Sequence, residues 1–467
     1  MKVTATGWWL AEAEAAAATA PRRPALSGDS AADLVIVGGG YTGMWAAWHA
    51  LARAPGARIV ILEKDRCGSG PSGRNGGFCE SYWRATPLLR AAFGDEPARR
   101  LADASSDSVL AIGRWCEEND VDAWFDQSGT LLVATSARQE SRVDDVVKAA
   151  ADLGAGDRAT GLDADAVRAR CASPTFGRAA FVADFATVHP GRLALGLRQR
   201  LLEAGVEIFE DSPVRRSRRL PGGDLRLECA SGSVTAPAGV LAINAATKGW
   251  RGLGRRLAVA SSHMVVTEPV PDVLEELGWS GGESITDGSR LVHYFRTTRD
   301  HRIVFGWAGG RIPLGARLGG RAEIDPVTLA LVKRDLVRTF PQLAGRAVMH
   351  GWGGPIDVSP NNLPQVDSVD GLHVGFGYTG NGVGPSHLVG RILASMALDL
   401  RDESTRLPIV NSRPSGVPPE PLAWSGGSLV RAALAHLDRR DADERRGHPA
   451  ARLVAALPRL LGIRLGR

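Results

Sequence analysis

The sequence predicts an α/β protein, in which a parallel-sheet domain of βαβ type is interleaved with an α+β domain built on a mixed or antiparallel sheet. Three observations carry this expectation. A short apolar run, Leu34-Val35-Ile36-Val37, ends in Gly38-Gly39-Gly40 and is followed by a helical pattern from Tyr41 to Ala54 and a second apolar run at Arg58–Leu62. Strand, glycine turn, helix and parallel strand within about 30 residues make one right-handed βαβ unit. The same glycine-rich, strand-then-helix texture returns twice, while the stretches between mix amphipathic helices with strands. The chain is also long enough for such an assembly. Its 467 residues correspond to about three domain-sized units at roughly 150 residues each.

Taken in order, residues 1–32 read as an extended N-terminal arm, with Trp8-Trp9, an Ala/Glu run and then Pro21 and Pro24. Segments 33–89, 189–254 and 346–410 are expected to form one discontinuous domain. Within it, Gly191 to Ala204 reads as a helix, Val206 to Phe209 as a strand, Leu225 to Val234 as part of a hairpin, and Gly239 to Asn244 as a buried strand. Segments 90–188 and 255–345 are expected to form the second domain, with strands near 262–267, 290–296 and 302–306. Residues 411–467 form a C-terminal extension rich in Pro, Arg and Ala. No acid follows Glu444, and Pro458 is expected to split the tail into two short pieces that fold onto the protein or fray.

Composition excludes several classes. Hydrophobic residues are 44% and charged residues 23%, so a sizeable core forms without a disulfide or metal staple. No apolar run reaches the ~18–20 residues of a membrane-spanning helix, and the start does not read as a secretory signal. The 56 Lys+Arg and 51 Asp+Glu are nearly balanced over this length and only the tail is lopsided, whereas a nucleic-acid binder clusters its charge on one face. Five scattered Cys without a CxxC pair fit a reducing, cytoplasmic setting with no metal site.

Glycine makes up 56 of 467 residues, so chance alone gives roughly one GxGxxG match. There are three: Gly38/Gly40/Gly43, Gly68/Gly70/Gly73 and Gly375/Gly377/Gly380. Only the first lies between a strand and a helix and has an acid, Glu63, about 20 residues further on. There Gly38 permits a tight turn, Gly40 lets backbone approach a pyrophosphate, and Gly43 lets helix and strand pack closely. Glu63 can hold both ribose hydroxyls, which disfavours a 2′-phosphate.

The second segment, Gly68 to Phe78, follows directly on Glu63-Lys64. A nicotinamide enzyme has no evident use for it, whereas a wide flat flavin needs close backbone approach along its length. The third segment, Gly375 to Ser386, follows a strand and opens a helix whose N-terminus suits the negative charge of a reduced flavin at its pyrimidine end.

Together, Val35–Gly43, Ser72-Gly73-Arg74-Asn75-Gly76-Gly77-Phe78, Val188–Leu193 and Gly377–Val383 resemble the FAD-dependent oxidoreductases of the D-amino-acid oxidase (DAO) family. Within that family the chain resembles the branch of gamma-glutamylputrescine oxidoreductase and glycine and sarcosine oxidases. The resemblance covers roughly 30 to 400. It implies a FAD-binding Rossmann-like domain beside a substrate domain whose sheet roofs the flavin, with the cofactor met by Gly38, Gly40, Tyr41, Thr42, Gly43, Glu63, Lys64, Gly73, Arg74, Asn75, Gly76, Gly77, Gly377, Gly380, Asn381, Gly382 and Val383. It also implies that Val214 meets the adenine through its backbone and that Ala245 lies on the loop closing the nucleotide site. Relatives often carry His where this chain has Asn381.

On the substrate side, strand alternation over Leu291–Arg296 puts Tyr294 and Arg296 on one face. Arg suits bidentate carboxylate binding, so Arg296 is a candidate for an amino-acid substrate and equally for a pairing with a surface acid. His263 is a candidate facing the ring, against the more common role of a core histidine. His350 and Trp352 are weaker candidates for lining the pocket. The implied chemistry is oxidation of a C–N bond, with hydride passing to flavin N5 and the imine hydrolysed by water. No Cys follows Cys229, so FAD is expected to be non-covalent, with His263 as one residual point of attachment. The partners are a small amine or amino acid and O2 or another electron acceptor. Lys248 is a candidate for promoting oxygen reactivity, against the simpler reading of a solvated lysine. A nicotinamide-dependent dehydrogenase and a flavin-binding subunit without its own turnover remain alternatives at this point.

Overall fold

The computed structural model describes residues 1–16, 21–460 and 462–463; part of the Ala/Glu run of the arm (17–20) and the basic end of the tail (464–467) lie outside the described residues. Two sheets organise the chain. The first has six strands in the order Glu207–Phe209, Ile59–Leu62, Leu34–Val37, Ala238–Leu241, Leu372–Phe376, Gln365–Val369. All its neighbours run parallel except the last pair. Its central strands are buried on both faces, as the uninterrupted apolar runs require. Helices Tyr41–Arg53 and Val383–Ala397 pack on one another beside it.

The second sheet has nine strands and is mixed. Its order is Lys2–Val3, Val348–Val358, Ala258–Thr267, Ile303–Trp307, His293–Thr297, Ser284–Asp287, Thr130–Val133, Ala179–Val182, Ala159–Leu162. Helix Pro326–Thr339 covers one face over strand Ala258–Thr267, and Phe295 stacks on Phe305 beneath it at 5.0 Å between ring centres. A small four-stranded sheet, Arg216–Arg219, Leu225–Glu228, Gly232–Ala236 and Gly28–Ala31, contains the expected hairpin.

Three expectations about organisation are corrected. Segment 346–410 does not stay together: Val348–Val358 pairs along its length with Ala258–Thr267 in the nine-stranded sheet, and only the part from Gln365 onward joins the parallel sheet. The arm is not merely extended. Lys2–Val3 and Gly28–Ala31 each add a strand to a sheet, and helix Trp8–Ala16 buries Trp9 completely against helix Pro190–Glu203. Lastly, Pro458 does not split the tail. Helix Pro449–Leu460 runs through it, with the proline in its last turn, and packs along helix Leu422–Ala442. A proline so close to the end removes a single backbone bond, which tertiary packing offsets.

Candidate active site

A cavity of about 1080 Å³ runs between the two sheets, just above the ~300–1,000 Å³ usual for small-molecule sites. One end is built by the first βαβ unit. Gly38 sits at φ +109°, where a Cβ would lie 2.3 Å from the Ala242 carbonyl oxygen, and a Cβ on Gly43 would lie 2.0 Å from the Gly38 oxygen. Both glycines are therefore required by the turn and by helix–strand contact, while Gly38, Gly40, Tyr41 and Thr42 line the cavity.

Glu63, 9% exposed, accepts from the Gly39 N–H at 2.7 Å and the Asp65 N–H at 2.9 Å, one on each oxygen. Each oxygen keeps acceptor capacity beyond that one N–H, and Glu63 lines the cavity together with Lys64, Pro213 and Val214. Burial pushes this carboxyl up while the two N–H donors pull it down. Ala245 is buried, and its neighbours Asn244 and Ala246 line the cavity instead.

The second glycine segment forms the middle. Asn75 spends its side chain on the loop itself, donating to the Pro71 and Ser72 carbonyls and accepting from the Gly77 N–H at 2.7 Å. Arg74 donates to the Ala5 carbonyl and pairs with Glu323 of the second sheet's domain at 3.0 Å. Asn75, Arg74 and Gly76 reach the cavity. Gly73 and Gly77 do not: a Cβ on Gly73 would lie 2.4 Å from the Gly68 oxygen, and one on Gly77 would lie 2.2 Å from the Val188 oxygen. They shape the loop rather than its surface.

The far end is closed by Tyr378, Thr379, Gly380, Gly382 and Val383, at the start of helix Val383–Ala397. Tyr378 and Thr42 share a hydrogen bond of 2.7 Å that ties the two glycine segments together. Gly377 and Asn381 stand behind this surface. Gly377 sits at φ +86° and donates its N–H to Asp357, while Asn381 keeps a buried amide oxygen without a partner among the described residues.

Asp357 itself lines the cavity and was not singled out from sequence. It is 1% exposed, and burial raises its pKa to about 7 despite backbone N–H donors and the Asn244 amide. An isolated Asp in Gly-Gly-Pro-Ile-Asp carries no pattern that would have marked it.

The opposite wall is the strand Ala258–Thr267, whose Ala258, Ala260, Ser262 and Met264 face the cavity together with Tyr294. The Tyr294 and Ser262 hydroxyls meet at 2.7 Å, and Ser262 donates to the Trp307 carbonyl. Tyr294 is thus brought to the site as expected.

Arg296 and His263 are not. Arg296 shares the face of Tyr294 but lies past the cavity edge, 2% exposed. Its guanidinium donates to the carbonyls of Val188 at 2.6 Å, Gly77 at 3.2 Å and Thr297 at 3.0 Å, so it clamps the cofactor loop and has no reach to a substrate. His263 falls on the other parity of its strand, fully buried, and neither ring nitrogen has a partner among the described residues. Burial lowers its pKa to about 4, leaving a neutral ring. His350 and Trp352 also miss the cavity. His350 pairs with Lys2 at the sheet edge, and the Trp352 indole donates to the Arg74 carbonyl at 2.8 Å. Lys248 does line the cavity, but its amine donates to the Leu257 carbonyl at 3.0 Å, and burial lowers its pKa.

A glycine cradle with an acid at the second strand end makes a dinucleotide site, and the mixed sheet across the cavity gives that site a facing wall for a second, smaller ligand, the arrangement of a dinucleotide-dependent oxidoreductase. The DAO family description, FAD dependent oxidoreductase, matches residues 33–396. The chain belongs to this family, and its cofactor is FAD. It is 28% identical over 435 residues to the probable oxidoreductase OrdL of Rhizobium meliloti (strain 1021), covering 90% of this chain and 94% of that one. It is 30% identical over 378 residues to gamma-glutamylputrescine oxidoreductase of Escherichia coli (strain K12), covering 80% and 84%. The fold matches the crystal structure of glycine oxidase from Geobacillus kaustophilus with a TM-score of 0.67 at 19% identity, over 82% of this chain and 99% of that one. Among the described residues no helix is long and apolar enough to cross a membrane, and no cluster of His, Cys, Asp or Glu could hold a metal.

The cradle gives a direct test. Glu63→Ala removes a charged acceptor from the ribose end, and a hydrogen bond to a charged group contributes ~1.5–3 kcal/mol. FAD affinity should fall roughly 10- to 100-fold, measured by titrating the apoprotein. Unchanged affinity would take Glu63 out of the site.

Proposed function

We propose that the protein oxidises a C–N bond of a small amine or amino acid. The observation that carries this reading is the compartment between the cofactor segments and the Tyr294–Ser262 pair, a largely apolar space with hydroxyls at its wall. Bound FAD supplies the two-electron acceptor. The residues of the chain do the rest. Gly38–Thr42, Glu63 and Val214 would hold the nucleotide, and Gly76 with Gly380, Gly382 and Val383 would hold the ring. Ala258, Ala260 and Met264 exclude water, while Tyr294 and Ser262 offer hydroxyls to orient the amine. The relatives named gamma-glutamylputrescine oxidoreductase and glycine oxidase support an amine or amino-acid substrate. O2 or another acceptor would reoxidise the enzyme, and the cytoplasm is the expected location.

The test is an anaerobic screen of amines and N-methyl amino acids against the yellow holoenzyme. Bleaching of the flavin absorption by at least one of them is expected. Failure of every compound to bleach it would favour a flavin-binding subunit, and a colourless protein binding a nicotinamide cofactor would overturn the reading altogether.

FAD is expected to be non-covalent. Among the described residues no cysteine and no histidine lines the cavity, and the tyrosines that do are Tyr41, Tyr294 and Tyr378, whose hydroxyls are engaged with Pro190, Ser262 and Thr42. Acid precipitation should leave the flavin in the supernatant. Flavin that stays with the pellet would contradict this.

A further inference from the structure

The substrate compartment is not closed by the two sheets alone. Its outer wall is helix Leu422–Ala442 of the C-terminal extension, which presents Leu422, Ala423, Gly426, Gly427, Val430 and Arg431 to the cavity. This helix is firmly seated. Val430, Ala433, Leu434 and Leu437, at helical spacing, are buried on its inner face. The Asp438 carboxylate accepts from the Arg290 and Leu291 backbone N–H groups at 3.0 and 2.9 Å and from the Arg290 guanidinium at 2.9 Å. A Cβ on Gly427 would lie 2.8 Å from Ile312, so the helix lies close against the loop that follows strand Ile303–Trp307.

The cations that line the cavity among the described residues are Lys64, Arg74, Lys248, Arg290 and Arg431. Lys64 belongs to the nucleotide end beside Glu63. Arg74 is neutralised by Glu323, Arg290 by Asp438 and Asp441, and Lys248 donates to a carbonyl. Arg431 differs. Its Nε alone is used, donating to the Gly309 and Gly310 carbonyls at 3.0 and 2.6 Å. Among the described residues no acid pairs with it, and no acceptor meets either Nη. Those two carbonyls lie two and three residues beyond Trp307, whose own carbonyl takes the Ser262 hydroxyl that meets Tyr294. An anchored guanidinium with both terminal nitrogens free, one short loop away from the Tyr294–Ser262 pair, has the geometry for a bidentate carboxylate.

We propose that the C-terminal extension completes the substrate compartment and that its Arg431 binds a carboxylate of the substrate, the role that Arg296 is not free to fill. The substrate class is then an amine bearing a carboxylate, the nitrogen toward Tyr294 and the anion toward the extension. This rests on the amine-oxidising reading above and narrows it.

The experiment uses the full-length holoenzyme and reads binding rather than turnover. A series of aliphatic carboxylates from propionate to heptanoate is titrated against the matching neutral amides, following perturbation of the flavin absorption band and heat by calorimetry. In the wild-type protein at least one carboxylate should bind tenfold or more tightly than its amide. Arg431→Gln, which can still donate to the Gly309 and Gly310 carbonyls, should abolish that preference while leaving amide binding unchanged. Arg431→Lys should retain part of it, and serves if the glutamine variant folds poorly by its melting temperature. No preference for carboxylate over amide in the wild-type protein, or an equal preference in all three proteins, overturns the assignment. Loss of flavin from the wild-type preparation would instead strike the oxidoreductase reading on which it rests.

Discussion

Arg296→Leu should lower the stability of the protein by about 3–5 kcal/mol and strip most of the FAD from it. The guanidinium is 2% exposed and makes three hydrogen bonds to main-chain carbonyls, of Val188, Gly77 and Thr297. Hydrogen bonds from a charged donor contribute ~1.5–3 kcal/mol each and are not additive, so the sum is held well below three full bonds. Burial lowers the Arg296 pKa to about 9, which still leaves it charged at neutral pH. It also stands over the face of Trp9 at 5.5 Å, and so fastens the N-terminal helix as well. Leucine supplies none of these donors. The Gly77 carbonyl keeps one partner, the Val188 N–H at 2.8 Å, but the loop carrying Gly76 toward the cavity loses its clamp. Urea unfolding and the ratio of flavin to protein absorbance measure both effects. A variant with normal stability and full flavin, but a raised KM for amino acids relative to plain amines, would restore Arg296 to the substrate site.

Arg296 also marks the limit of what the sequence makes legible. Strand alternation gives the face of a side chain reliably, and Tyr294 and Arg296 do share one. Alternation says nothing of where along the strand a cavity ends, and Arg296 lies beyond that edge. His263 fails for a related reason. Parity separates Ser262 from His263, but which side of a sheet meets the cavity is decided by the helix Pro326–Thr339 packed on the other face, a contact distant in sequence.

The βαβ cradle was legible because its physics is local: Gly38, Gly43 and Glu63 act within a single turn, helix and strand. The third glycine segment was legible in place but not in detail, since Gly377 and Asn381 stand behind the surface that Gly380, Gly382 and Val383 form. Arg431 was hidden because composition describes the extension as a tail. Only the helical spacing of its buried Val430, Ala433, Leu434 and Leu437, with Val430 and Arg431 at the cavity wall, sets it apart from a frayed tail.

The second large effect is one of pH. Asp357→Asn should stabilise the protein at pH 8 by several kcal/mol and leave it nearly unchanged below pH 4. Asp357 is fully enclosed, and burial moves its pKa from the ordinary carboxylate range up to about 7. In the unfolded chain the same group ionises near pH 4. Between these values the folded state holds a proton that the unfolded state has released, so stability falls as pH rises. Below about pH 4 both states are protonated and no penalty applies. Above about pH 7 both are ionised and the penalty is complete, on the order of 4 kcal/mol at ~1.4 kcal/mol for each tenfold change. Asparagine keeps the shape and an oxygen to accept the Gly377 N–H, but never ionises. The difference between variant and wild type isolates Asp357 from other titrating groups. One such group is His293, held protonated between Asp287 and Asp335 with its pKa raised to about 9. Its contribution is present below its ordinary value and is lost as pH rises through 9, in both proteins alike. Melting curves at pH 4, 6 and 8 should show the gap opening with pH. A gap that is constant across this range, or that favours the wild type at pH 8, would mean that Asp357 is ionised in the folded protein throughout and is stabilised by the N–H groups and the Asn244 amide around it.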